Sequence, residues 1–176
     1  MFPLLAALLL AAAPAGSRPA ESRPAEGREG VERRREAVAR EIAALGAQIR
    51  RAIEKHDVAA LVARVPEDGL RCGDRVVPRA RVERDLRNEG SWIHGVVFGG
   101  PGYGPPPGTA PSLAALFRTA REIALVVSFQ QDARAGPEGR PCLEFRAKEV
   151  GTPGPPLCFE RRGEAWWLAE SLYPCG

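Results

Sequence analysis

At 176 residues, with 25 lysines and arginines against 22 aspartates and glutamates, the chain carries a formal charge of only +3. The basic residues are almost all arginine and alternate with Glu and Asp, so no single-sign stripe runs along the chain to track a nucleic-acid backbone, and nucleic-acid binding is excluded as a function class. Metal and cofactor motifs are missing too: the four cysteines, Cys72, Cys142, Cys158 and Cys175, show no C-x-x-C spacing, which favours two disulfides over a zinc site.

At the amino end, Phe2 to Ala13 form an uncharged apolar run of secretory length, and Ala13-Pro14-Ala15 supplies the small residues of a cleavage site. Residues 1–15 are therefore expected to be a signal peptide, and the chain to be exported to the periplasm or the extracellular space. An uncleaved anchor is the alternative, but a spanning helix needs roughly 20 apolar residues, and no other apolar run is expected to span a membrane once the signal is removed. No cysteine follows the small residues, as a bacterial lipoprotein would require, and the preference for arginine is that of a GC-rich bacterial genome. Residues 16–30, with a tandem Ser-Arg-Pro-Ala-Glu, lack anything to bury and read as a disordered tether. Residues 31–176 then form one domain.

From Val31 the apolar residues Val38, Ile42, Leu45, Ile49, Ala52 and Ile53 recur at steps of three and four, the stripe of a long amphipathic helix. Asp57 is placed to cap a second short helix that Pro66 ends. Two short extended runs flank Gly73-Asp74, a glycine-first hairpin turn, and Pro78 opens a helix in which Val82 and Leu86 face inward. The aromatic segment "SWIHGVVFGG" and a Gly/Pro-rich loop at residues 99–111 follow, and Ser112 caps a further helix. The remainder alternates as four strands, "IALVVSFQ", "PCLEFRAKEV", "PPLCFERR" and "AWWLAESLY". The fold class is thus α+β, with helices packed on one face of a curved, mainly antiparallel sheet that ends in a four-stranded meander.

Strand alternation puts Leu143, Phe145 and Ala147 on the core face and Cys142 on the other, and it gives Cys158 the same outward parity. A Cys142–Cys158 bridge across neighbouring strands is therefore geometrically plausible, closing a loop of about 17 residues worth about 3 kcal/mol. It leaves Cys72 with Cys175, against the two other pairings that four cysteines allow. A disulfide is the expected state of Cys72 in an oxidising compartment, ahead of a nucleophile partnered by His94 or His56.

Trp92 and His94 lie beside an open glycine loop, an arrangement able to line a small-molecule pocket, and Trp166 and Trp167 point to opposite faces of one strand. Trp92, His94, Asp74 and Trp167 are the candidate ligand-binding residues. The arginines Arg75, Arg79, Arg81, Arg84 and Arg87 interleave with Glu83 and Asp85 and read as a solvated helix face.

The stretch "AIEKHDVAALVARVPEDGLRCGD", Ala52 to Asp74, resembles the long helix, Asp-capped second helix and first strand of the nuclear transport factor 2-like, or cystatin-like cone, superfamily, which includes the SnoaL-like proteins. The closing "FERRGEAWWLAESLY", Phe159 to Tyr173, is similar to that family's final hairpin with its Trp-containing last strand. The resemblance implies a cone whose interior is an enzyme pocket, a ligand cavity or a filled core. It implies no catalysis: the only tyrosines, Tyr103 and Tyr173, do not match the oxyanion-binding tyrosine of the isomerase-like members, and the long Gly/Pro loop departs from the compact ones. The resulting expectation is an exported, non-enzymatic domain, without cofactor or metal, that binds a small ligand or an envelope protein through the concave side of the sheet and the Gly/Pro loop. An isomerase- or dehydratase-like enzyme using His94 with Asp74, and a structural envelope component, are the alternatives.

Overall fold

The computed structural model describes residues 27–131 and 135–170. The expected signal peptide, nearly all of the tether, Cys175 and the end of the last expected strand lie outside the described residues. Among the described residues no helix is long and apolar enough to cross a membrane.

Helix α1 (Arg28–Glu54) buries Ile42, Leu45, Ile49, Ala52 and Ile53, the stripe that the periodicity predicts. It begins at Arg28, inside the segment whose composition reads as tether. Glu29 in the first turn suits the positive end of the helix dipole, and Arg34 and Arg35 both bond to Glu138, which holds that end down. After a left-handed His56, α2 (Val58–Val62) starts at Asp57, whose carboxylate accepts from the Ala60 amide at 3.0 Å.

Strands β1 (Leu70–Cys72) and β2 (Arg75–Val77) pair antiparallel about Gly73, which sits at φ 61° where a side chain would be strained. Helix α3 (Arg79–Arg87) follows Pro78, burying Val82 and Leu86 while Arg81 and Arg87 pair with Asp85 and Glu83 along its wet face. The segment after it forms a short helix, α4 (Trp92–Val97), which Gly95 hides from pattern reading. Ser91 caps α4, and Ser112 caps α5 (Leu113–Thr119) by accepting from the Ala115 amide at 3.0 Å.

The meander is β3 (Ile123–Gln130), β4 (Arg140–Ala147), β5 (Leu157–Arg162) and β6 (Ala165–Glu170). Six strands form one sheet in the order β2-β1-β6-β5-β4-β3, the hairpin joining β6 in parallel at Arg71↔Glu170. All five helices pack into a single core with the inner face of this sheet, where Leu143, Phe145 and Phe159 are fully buried against residues such as Ile42, Leu86, Ile93 and Leu116. Each such side chain contributes about 1.5–3 kcal/mol by leaving water. Phe117 of α5 meets Phe145 edge-on at 4.9 Å.

The outer face of the meander departs from simple alternation at its two cysteines. Cys142 and Cys158 stand opposite each other in register and are joined by a disulfide, and both are buried even though their parity is outward. Cys72 is disulfide-bonded as well, so it is not a thiolate nucleophile; Cys175, its expected partner, is outside the described residues.

Gly46 sets how close α1 comes to the sheet. It is buried in the inward stripe, and a β-carbon there would stand 2.7 Å from Leu143 Cδ2 and 3.3 Å from Leu125 Cδ2. The helix backbone therefore rests directly on two leucine side chains of β3 and β4. In Gly46→Ala, the helix-propensity gain of about 1 kcal/mol works against the displacement of a flexible leucine end, so its unfolding free energy should stay within about 1 kcal/mol of wild type. Gly46→Val must push the strands away and should lose about 1–3 kcal/mol. Urea denaturation of the two variants checks this ordering, and equal losses would contradict it.

Candidate functional site

On the carboxyl-terminal side of Ile42, α1 is seated on the sheet; on the amino-terminal side, its inward positions are Val38, Ala37 and Arg34, of which none is fully buried. Side chains that small or that polar do not fill the gap to a curved sheet. An open cleft of about 880 Å³ remains between this half of α1 and the end of the sheet where β3 turns into β4 and β5 into β6. Its floor is apolar, built from Phe129, Pro141 and Phe159, and Trp166 stands at one side. The register explains the grouping: Phe129 faces Pro141 across β3 and β4, and Trp166 shares the inner parity of Leu168, the residue opposite Phe159.

Two clamps hold the cleft open at fixed width. On one side, Arg34 bonds to the Glu138 carboxylate, while Arg35 donates to the Glu138 carbonyl at 2.9 Å and lies over the Phe129 ring at 5.4 Å. On the other, the Trp166 indole Nε1 donates to Glu41 at 2.6 Å, and Arg161 lies over the same indole at 5.5 Å. A third pair, Arg162 to Asp68 at 2.6 Å, ties the β5–β6 hairpin to the chain just before β1.

These contacts set the electrostatics. The hydrogen bond from Arg34 holds the Glu138 carboxyl below the usual glutamate range, and that from Arg162 does the same for Asp68. Asp68 in turn raises the affinity of Arg162 for its proton. Acids shifted in this direction stay ionised and paired at neutral pH, whereas a general acid needs its pKa raised toward 7.

Beneath the helices, the void among Ile49, Ile53, Leu86 and Leu157 is about 20 Å³, no more than one water. The cleft lies between α1 and the sheet, not within this core.

None of the four candidate ligand residues lines this cleft. Asp74 is exposed at the tip of the β1–β2 hairpin. His94 is half-buried on α4, with Nδ1 2.7 Å from the Leu86 carbonyl; because a carbonyl only accepts, Nδ1 carries the proton. Trp92 is half-buried edge-on to Tyr103 at 5.6 Å. Among the described residues no hydrogen bond or ion pair joins His94 to Asp74. Of the tryptophan pair, Trp166 enters the cleft, while Trp167, opposite Glu160, has the outer parity. Two adjacent tryptophans give the same hydrophobic signal in either register, and only the pairing with β5 chooses between them.

The Gly/Pro loop is also remote from the cleft. Thr109 pairs with Gly151, and the Gly154 amide donates to the Tyr103 hydroxyl at 3.3 Å. Both contacts lie in the β4–β5 connection, after Ala147, whereas the cleft borders β4 at Arg140 and Pro141. The loop thus packs on the opposite end of the meander from the cleft.

Because the native carboxyl of Glu138 has a depressed pKa, its stabilisation is complete above the unfolded value and disappears as the pH falls through the native one. With both partners partly exposed, Glu138→Gln should cost no more than about 1 kcal/mol at pH 7. The difference from wild type should begin to shrink as the pH falls below about 4 and go on shrinking toward the depressed native pKa. Thermal denaturation across pH 3–7 measures it, and a pH-independent difference would count against the Arg34 pair.

In comparison with known proteins, the chain matches no family model, no curated protein and no solved structure.

Proposed function

We propose that this chain is an exported, non-enzymatic binding domain with a cone-like fold of the nuclear transport factor 2-like type, which takes a small organic ligand in the cleft beneath the amino-terminal half of α1. The observation that carries the reading is the cleft itself: about 880 Å³ of open space with aromatic side chains on its floor and side and charged groups at its mouth, the usual composition of a small-molecule site. The relation to the cone superfamily draws its support from the element order, two helices, a hairpin, further helices and a meander, with β1 beside β6.

Binding is favoured over catalysis by the chemistry of the lining. Neither histidine borders the cleft, and Asp68 and Glu138 are engaged by arginines that keep them ionised. Export is supported by the Cys142–Cys158 disulfide, since such bonds persist in oxidising compartments, together with the apolar amino-terminal run.

The neutral dye N-phenyl-1-naphthylamine tests the site without regard to charge. It should bind the native protein at one saturable site with enhanced emission, and Ala37→Trp, which fills the cleft from a half-buried helix position, should weaken binding at least tenfold with the melting temperature retained. Equal binding by wild type and Ala37→Trp, or no binding by wild type, would reject the cleft as the ligand site.

A further inference from the structure

Two arginines at the mouth of the cleft, Arg71 and Arg161, are held by no close carboxylate among the described residues, and from them we infer the class of ligand: a flat aromatic molecule carrying one anionic group, such as an aromatic carboxylate. This inference rests on the reading of the cleft as a ligand site. Among the described residues that line it are five arginines and four carboxylates. The carboxylates are taken: Glu138 by Arg34, Glu41 by the Trp166 indole, and Asp68 and Glu160 by Arg162. Of the arginines, Arg34, Arg140 and Arg162 have partners, whereas Arg71 and Arg161 are not matched in the same way. Arg71 is exposed on β1 and, among the described residues, makes no ion pair; the carboxylate whose titration it influences, Asp68, is already bonded to Arg162 at 2.6 Å. Arg161 reaches Glu41 only at 3.9 Å, with both side chains nearly half exposed.

An incoming carboxylate therefore meets arginine donors that need give up no strong partner, whereas an incoming ammonium meets only carboxylates that would have to leave one. A guanidinium matches a carboxylate with two parallel donors. The body of the ligand follows from the walls. Phe129 and Trp166 offer ring faces and edges, each already beneath an arginine, and a planar ring fits between such surfaces with little loss of its own freedom.

Three ligands of one shape separate the possibilities: 2-naphthoate, neutral 2-naphthamide and cationic 2-naphthylmethylammonium, each titrated calorimetrically into the intact protein. The acid should bind about fivefold more tightly than the amide and the cation should bind weakest, the worth of one partly exposed ion pair. Raising the salt should shrink the advantage of the acid, and Arg71→Gln should remove most of it while changing amide affinity less, with an unaltered melting temperature showing that the variant is folded. The acid-to-amide comparison in wild type needs no variant. If the amide or the cation binds as well as the acid, with Ala37→Trp still blocking both, the anion inference falls and the cleft remains a site. If none of the three binds, the site and its ligand class fall together.

Discussion

The contact on which the rest depends is the one between Gly46 of α1 and the leucines beneath it, Leu143 and Leu125. A long helix laid over a curved sheet touches it closely at one place and diverges elsewhere. Here the close place is fixed by the one inward position with no β-carbon. Toward the carboxyl end of the helix, Ile49 and Ile53 fill the space down to the core, and toward the amino end the filling stops at Ile42. The cleft follows from that stop. Its width is then set by polar contacts, because Arg34, Arg35 and Glu41 reach across to the two hairpins.

This division of labour separates stability from recognition within one helix. The buried half is apolar and closely packed, and the void beside Ile49 and Ile53 is only about 20 Å³. The other half exchanges packing for ion pairs of modest individual worth. Such pairs would be a poor way to stabilise a domain, but as spacers they suit a mouth that must stay open and charged. The disulfide between Cys142 and Cys158 reinforces the meander from its outer face and leaves the inner face to the cleft floor.

Much of the fold was legible because it rests on local rules. The stripe from Ile42 to Ile53, the Asp57 and Ser112 caps, the turn at Gly73 and the alternation of Leu143 with Phe145 each have a short-range cause, and each produced the element it implies. Helix α1 starts at Arg28, ahead of its apolar stripe, and its amino-terminal turns are tied down by Arg34 and Arg35, which bond to Glu138 more than a hundred positions away. The cleft was not legible for the same reason. Trp92, His94 and the glycines after them form a sequence-local cluster, which one-dimensional reading favours, whereas the cleft assembles Arg34, Phe129, Phe159 and Trp166 from four distant elements. One signal was present: the apolar stripe of α1 fades before Val38 while the inner parity of the strands continues to Phe129 and Phe159, so the sheet offers more apolar surface than the helix covers.

The most direct measurement is to map where an aromatic ligand lands, by amide and indole chemical-shift changes on adding 2-naphthoate to the isotope-labelled domain. The account predicts that the largest changes fall on Ala37, Val38, Phe129, Arg71 and the Trp166 indole, around the cleft. Changes concentrated instead on Trp92, His94 and Tyr103, at the other end of the meander, would contradict it and return the site to the glycine-rich segment.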